Sequence, residues 1–477
     1  MASQVWSRFS GKRVLLLQGP VGPFFARVAR ALRDAGAATV HKVNFSGGDW
    51  YFYRDGAINF TGSLDDWPPF LADLLDRLGI DAILLFGDCR QIHEVAIAQA
   101  RDRRLPYWVF EEGYIRPNYV TFEPHGVNGN SALPRDPAFY AALPDAVARP
   151  EQEVGATFGL AARWAMLYYT AGTLAWPFFR HRLHHRSLNM LEGLVWVRSY
   201  WRKLHYARAE AGVMPRLTGR WSKKFFLVAL QTSGDFQVRK HSGFGSVENF
   251  ITHVARSFAA HAPAETWLVF KHHPLDRGYT DYAALIERLG TELGISSRIK
   301  YIHDQHLPTL LGHARGVVVI NSTVGLSALH HQTPTITLGK AIYNLPGLTF
   351  QGGLQHFWTD CEQQRPQLSL YWQFRNHVVE QTQLNGSFYK PLPGSDASGL
   401  VGGPPPALPL AETEPPAARP LPEAGRAGRE PLGDALGAGV GVETAALPVQ
   451  AVAAPPSRPA PRQGARPVDM EVQPSLP

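Results

Sequence analysis

Tyr107-Trp108-Val109-Phe110-Glu111-Glu112-Gly113 is the stretch from which the fold class follows. Four apolar residues run straight into two carboxylates and a glycine. A short apolar run closed by turn residues reads as a strand buried on both faces, the kind found in parallel sheets. The construction recurs twice. Trp267-Leu268-Val269-Phe270 runs into Lys271-His272-His273-Pro274, and Val317-Val318-Val319-Ile320 runs into Asn321-Ser322-Thr323-Val324-Gly325. In open α/β sheets the ligand lies outside the carboxyl ends of the strands. Carboxylates, imidazoles and hydroxyls therefore stand where such a sheet binds its ligand, which points to an enzyme acting on a phosphorylated or nucleotide substrate.

Outward from these turns, strands alternate with helices, the mark of βαβ units. Arg13 to Gln18 is the first strand, followed by the turn Gly19-Pro20-Val21-Gly22-Pro23. Phe25, Val28, Ala29 and Leu32 then recur at helical spacing, as do Leu71, Leu74, Leu75 and Leu78. Further strands are expected at Thr39 to Asn44 and Asp81 to Phe86. A second βα series opens at Lys224 to Leu230 and closes with a helix over Tyr371 to Leu384. Between about Ala156 and Arg208 no strand pattern is visible. Two aromatic-rich helical stretches, Trp164 to Phe179 and Leu188 to Tyr206, flank a basic cluster of Arg180, His181, Arg182, His184, His185 and Arg186. From Pro391 the composition collapses: half of the chain's 38 prolines fall there, with no aromatic residue and no lysine. Such a segment buries too little apolar surface to offset its ordering entropy, so disorder is expected. The expected division is an N-terminal Rossmann-like domain over 11–150, a helical insertion over 151–215, a C-terminal Rossmann-like domain over 220–390 and a disordered tail over 391–477.

With 477 residues, 45% hydrophobic and 18% charged, the chain is long enough for two globular cores. A net charge of +7 suits anionic partners without choosing among nucleotides, nucleic acid and acidic lipid. No known nucleic-acid reading module is visible, so nucleic acid is not expected. Two distant cysteines, Cys89 and Cys361, give no metal spacing and fit a reducing compartment. Residues 1–10 lack the apolar core of a secretory signal.

Each polar turn has a sharp and a plain reading. Glu111-Glu112-Gly113 can aim a carboxylate over the sheet edge as base or nucleophile, or be a solvated turn. Lys271, His273 and Pro274 offer a fixed cation and an imidazole to a departing phosphate, or mere polarity. Adjacent histidines at one strand end do not readily share a metal. Asn321, Ser322, Thr323 and Gly325 form either an anion site at a helix start or an ordinary cap. The turn carrying Gln18, Gly19 and Gly22 lacks G-x-G-x-x-G and the Walker lysine, which argues against a conventional NAD or ATP site. Asp235, Arg239 and His241, in the loop after the first strand of the second half, either face the cleft or are solvated. The aromatic helices at 164–206 are core with a solvated face, or else an interfacial surface with rings at headgroup depth. The first stretch has 16 residues, short of the ~20 that span a bilayer.

Taken together the motifs resemble GT-B glycosyltransferases that use CMP-sugars. Bacterial sialyltransferases of that type carry an acidic-acidic-Gly motif, a His-Pro motif and a Ser/Thr motif in this order, here Glu111-Glu112-Gly113, His273-Pro274 and Ser322-Thr323. The chain more closely resembles the capsule polysaccharide biosynthesis family of the KpsS/LipB type. The resemblance is carried by VLLLQGPVGPFF near the start, FEEGYIRPNYVTFE over 110–123, KHHPLDRGY over 271–279 and INSTVGLSALHHQTPTITLG over 320–339. It covers about residues 11–390. It implies a GT-B-like fold with two Rossmann-like domains facing a cleft. It also implies transfer of 3-deoxy-manno-octulosonic acid (Kdo) from CMP-β-Kdo, with retention, to a (lyso)phosphatidylglycerol acceptor, priming the capsule's lipid-linked poly-Kdo linker. Retention usually proceeds through a covalent intermediate on a carboxylate. The resemblance makes Glu112 that nucleophile, where related Kdo transferases often carry Asp. It has His273 assist CMP departure, with Lys271, Ser322 and Thr323 holding phosphate. No metal or other cofactor is implied. The implied place is cytoplasmic, peripheral on the inner face of a bacterial cytoplasmic membrane, near other capsule synthesis and export proteins. The alternatives are another CMP-sugar (sialyl) transferase, or a non-catalytic capsule assembly or export component that binds lipid-linked glycan.

Overall fold

The computed structural model describes residues 4–144, 151–184 and 192–401. The N-terminal half is built on β1 (Arg13–Leu16), β2 (Thr39–Asn44), β3 (Ala57–Asn59), β4 (Ala82–Phe86), β5 (Tyr107–Glu112) and β6 (Tyr119–Pro124). The C-terminal half is built on β7 (Phe225–Ala229), β8 (Trp267–Lys271), β9 (Ile299–Ile302), β10 (Gly316–Val319) and β11 (Thr335–Thr337), and β12 (Gln383–Asn385) follows. The first sheet runs β12-β6-β5-β4-β1-β2-β3 and the second β11-β10-β7-β8-β9. In each half the first strand is central and the first five strands pair in parallel in the same order. These are two Rossmann-like sheets, and the architecture is GT-B-like.

The apolar runs form strands because both faces are covered: every residue of β4, β7 and β10 is buried. The helix Phe24–Asp34 buries Phe25, Val28, Ala29 and Leu32, as their spacing requires. Side chains of β5 alternate between two cores. Phe110 joins Trp6, Phe24 and Phe388, while Val109 joins Leu85, Ile92 and Trp67. That alternation sends Glu111 and Glu112 to opposite faces of the sheet.

Three strands escape the periodicity. β3 and β12 have three residues each and carry polar side chains. β6 runs antiparallel to β5 and buries Glu123 and Thr121 among its apolar residues, so no hydrophobic run marks it. The expected domain boundaries also change. The closing helix is Leu368–Thr382, after which the chain returns to the first half as β12, antiparallel to β6. The disorder expected from Pro391 is corrected for 391–401. Leu392 and Leu400 are buried, the Trp6 indole N–H donates to Asp396 Oδ2 at 2.8 Å, and Val401 bridges Asn385. Two leucines and a carboxylate anchor a segment whose average composition suggested none. The remainder of the expected disordered tail, 402–477, lies outside the described residues.

The insertion contains the helices Phe158–Leu174 and Glu192–Ala209. The first packs Tyr168, Tyr169, Ala161 and Gly172 inward. Its other side is not the solvated polar face of an ordinary surface helix. Phe158, Met166 and Leu174 are exposed on it, Trp176 and Phe178 in the turn that follows, and Leu194 and Trp201 on the second helix. No helix among the described residues is long and apolar enough to cross a membrane.

Candidate active site

The carboxyl edges of the two sheets present the polar turns to each other. On the first sheet Glu111 Oε1 accepts the Glu112 amide at 2.9 Å, which fixes the turn. Burial, with further repulsion from Glu112 and Asp88, pushes the Glu111 carboxyl up to about 8 despite that bond. Glu112 points to the other face, where the Tyr389 hydroxyl lies 3.5 Å from its Oε1. Gly113 has no room for a side chain, since a Cβ there would sit 2.0 Å from Tyr119 O. Arg116 Nε donates to Gly113 O at 3.1 Å and closes the turn.

Behind this turn lies a buried network. Glu123 accepts the Tyr114 hydroxyl at 2.6 Å and the Ser131 hydroxyl at 2.5 Å, and the Asn128 amide donates to the Tyr114 oxygen at 2.5 Å. Asp88 accepts the Val127 amide at 3.1 Å and the Asn130 side chain at 3.0 Å. Gln18 is fully buried, accepting from Arg90 at 2.9 Å and donating to Leu183 O at 3.2 Å. Gly19 packs on the Phe25 ring and Gly22, at φ +116°, on Trp164. This turn is therefore a packed junction rather than an open nucleotide loop.

On the second sheet Lys271 is buried at the end of β8, and burial lowers its ammonium to about 8 although Asp304 and Glu210 oppose the shift. No hydrogen bond to that ammonium is made among the described residues. His272 turns away from the cleft, its Nδ1 2.6 Å from the Tyr301 hydroxyl. His273 Nδ1 accepts the Leu275 amide at 3.3 Å, so a neutral ring carries its proton on Nε2. Desolvation, then the charges of Lys271, His272 and Arg116, holds His273 down at about 3. Pro274 lies in the same turn, which Asp276 ties to the loop after β7 by accepting from Ser233 N and Ser233 Oγ, both at 3.1 Å.

Gln231 joins two other expected residues, donating to Asp235 at 2.9 Å and to Asn321 at 3.0 Å. Ser322 Oγ accepts the Val324 amide at 3.2 Å, and Thr323 is the N-cap of the helix Val324–His330. Gly325 is corrected as a phosphate donor. Its amide is spent on Ser322 O at 2.9 Å, and a Cβ there would meet the Tyr343 hydroxyl at 2.1 Å. Arg239 is exposed on the helix Phe236–Lys240. His241 crosses to the other half: its Nε2 lies 3.4 Å from Cys89 Sγ, and a Cβ on Gly129 would meet its ring. Lys240 pairs with Glu94 at 2.9 Å beside it.

Gln231 thus joins Asp235 to Asn321, His241 reaches Cys89 in the other half, and Arg116, bonded at Gly113, brings its charge to His273 two residues from Lys271. Sequence reasoning missed Arg116, Asp88, Asp276 and Tyr389. Arg116 lies within the FEEGYIRP segment, three residues beyond Gly113, and its charge reaches His273 from the opposite half. Tyr389 had no local signal, because it arrives on the returning chain.

The family model for capsule polysaccharide biosynthesis proteins matches residues 81–389. The capsule polysaccharide export protein KpsS of Escherichia coli is 41% identical over 386 residues, 80% of this chain and 97% of that one. The chain belongs to the capsule polysaccharide biosynthesis family. The capsule polysaccharide modification protein LipB of Neisseria meningitidis serogroup A is 40% identical over 389 residues, covering 80% of this chain and 92% of its own. Among solved structures, the β-Kdo 2,7 transferase KpsC of Thermosulfurimonas dismutans aligns with a TM-score of 0.36 at 14% identity, over 79% of this chain and 93% of that one. The span of the family model includes Glu111, Glu112, Arg116, Lys271, His273 and Ser322 and ends on Tyr389. The turn at Gly19 to Pro23 lies before it.

Proposed function

We propose that the protein transfers Kdo from CMP-β-Kdo to a (lyso)phosphatidylglycerol hydroxyl, with retention, priming the lipid-linked linker of a capsule. The observation that carries this reading is the approach of the His273 turn to the Glu111-Glu112-Gly113 turn across the cleft, with Arg116 between them. Glu112 attacks the anomeric carbon, and the bond to CMP breaks with its electron pair going to the phosphate. The acceptor hydroxyl then displaces Glu112. Glu111, on the opposite face, positions the turn by accepting the Glu112 amide, and the acceptor's proton leaves to solvent. A neutral His273 donates a hydrogen bond through Nε2, and the buried Lys271 ammonium supplies charge where the leaving phosphate gains it. The reading calls for no metal.

The exposed apolar faces of the two insertion helices support a lipid acceptor. Phe178 is 76% exposed, Leu174 72%, Leu194 67% and Trp201 65%, with Arg163, Arg180, Lys203 and Arg208 exposed on the same two helices and the turn after the first. Aromatic and aliphatic residues beside cations suit an anionic leaflet, which supports a peripheral position on the inner face of the cytoplasmic membrane. Of the basic cluster expected there, His185 and Arg186 lie outside the described residues.

The decisive experiment incubates the purified protein with CMP-Kdo and lysophosphatidylglycerol, follows CMP release and weighs the lipid product. One added Kdo per lipid is expected. CMP-sialic acid turned over in preference would give the site to a different donor. Glycolipid binding without turnover of either donor would leave a non-catalytic assembly component.

A further inference from the structure

We infer that the second insertion helix, Glu192–Ala209, couples a lipid surface to the cleft: contact of its outer face with an anionic bilayer fixes the loop that carries Lys271 and His273. This rests on the lipid-facing role proposed above for the insertion and adds a consequence for turnover.

The two faces of this helix carry different chemistry. Leu194, Val197, Tyr200 and Trp201 form one exposed stripe. The opposite face is bonded to residues 277–281, just beyond the Lys271-His272-His273-Pro274 turn. Arg202 donates to the carbonyls of Arg277 at 2.9 Å and Thr280 at 3.1 Å, and Arg198 donates to that of Gly278. In return Arg277 Nε donates to Ser199 O at 2.9 Å and the Tyr279 hydroxyl to Glu192 at 2.5 Å. The backbones lie so close that a Cβ on Gly278 would stand 2.6 Å from Val195 O. Glu210, one residue past the helix, accepts from His303 Nδ1 at 2.6 Å at the end of β9. Arg277 also pairs with Asp304, whose charge acts on Lys271.

The first insertion helix is tied to the other side of the cleft. Its Tyr168 hydroxyl donates to Asp49 at 2.8 Å, and its Trp164 indole donates to the carbonyl of Tyr389, the residue whose hydroxyl faces Glu112. The rings of Tyr169 and Trp196 meet at 6.1 Å and join the two helices. One apolar surface is therefore bonded to both sides of the reacting cleft. A bilayer can shift the cleft only by binding one arrangement better than another, and these bonds carry that preference inward. The occupant is an anionic bilayer, because the exposed cations beside the stripe complement its headgroups.

The test uses the full-length protein, CMP-Kdo and a short-chain lysophosphatidylglycerol kept below its micelle concentration. Vesicles of phosphatidylcholine with phosphatidylserine are added as a surface that is not itself the acceptor. CMP release should rise about tenfold with the vesicles, and amide exchange over 277–281 should slow. The double variant Arg198→Ala, Arg202→Ala should still bind vesicles but lose both responses, while Arg202→Lys, which keeps a donor, should fall between. Val197→Asp with Trp201→Asp should lose vesicle binding and both responses together. Stimulation and slowed exchange of wild-type size in the arginine double variant would overturn the coupling. So would vesicles that fail to bind the wild-type protein, or that bind it and change neither readout. If CMP-Kdo is not turned over under any condition, the donor reading fails, and the exchange measurement, which needs no donor, still decides the coupling.

Discussion

Glu111 and Glu112 are neighbours in sequence and opposites in environment, because a strand sends successive side chains to opposite faces. Glu111 is spent on the Glu112 amide and holds its proton to about pH 8, while Glu112 lies toward Tyr389. Glu112→Gln should therefore cut Kdo transfer on the order of a thousandfold or more with the fold intact, since an amide cannot form the glycosyl ester. Glu111→Gln keeps an acceptor for the Glu112 amide and should cost about tenfold or less. Transfer rates for the two variants, with circular dichroism as the fold check, settle the order; a reversal would move the nucleophile to Glu111. His273→Ala should lower kcat on the order of a hundredfold with a smaller change in donor KM, because its bond strengthens only as charge reaches the phosphate. A change confined to KM would reduce His273 to ground-state binding. At this scale residue identity was legible, since each group ends an apolar run. Direction was not: which carboxylate faces which side depends on the register of Val109 and Phe110 with their cores, and the approach of Arg116 to His273 depends on how the halves meet.

At the scale of elements, the long parallel strands were plain from their apolar runs, and β6 and β12 were hidden because their work is polar. β6 carries Glu123, which links Tyr114, just after the Glu-Glu-Gly turn, to Ser131. Burial pushes the Glu123 carboxyl up to about 7 although both hydroxyls oppose the shift. Its folded pKa thus exceeds the unfolded value, as does that of Glu111. Stability from these two protons is fully present below the unfolded pKa of about 4.3 and is lost as pH rises through 7 and 8. The thermal midpoint of the ligand-free protein should fall between about pH 5 and pH 8 from these two groups. Glu123→Gln, which keeps an acceptor for Tyr114 without a titrating proton, should flatten part of that fall. An identical slope in the variant would mean that Glu123 does not titrate with folding.

At the scale of the whole molecule, the two halves are joined by a chain that goes back. After the closing helix, β12 pairs with β6, Arg27 donates to Phe388 O at 2.7 Å, and 391–401 wraps over the first core to Trp6. Composition could not show this, because averaging over 391–477 dilutes Leu392, Asp396 and Leu400 among prolines and alanines. The consequence is a sharp limit to how much of the C-terminus can be removed. Truncation after Val401 takes away only the segment whose composition argues against a core, and the thermal midpoint should stay within error of the full chain. Truncation after Lys390 exposes the pockets of two leucines and strips the Trp6 indole of its acceptor. At roughly 1.5–3 kcal/mol for each buried leucine, the loss should reach about 3 kcal/mol or more. It should also loosen Tyr389, and with it the setting of Glu112, so transfer should fall even where the protein remains folded. A midpoint and a rate unchanged by the shorter truncation product would show that the returning segment is not part of the folded unit. Loss in both truncations alike would place a structural role beyond Val401.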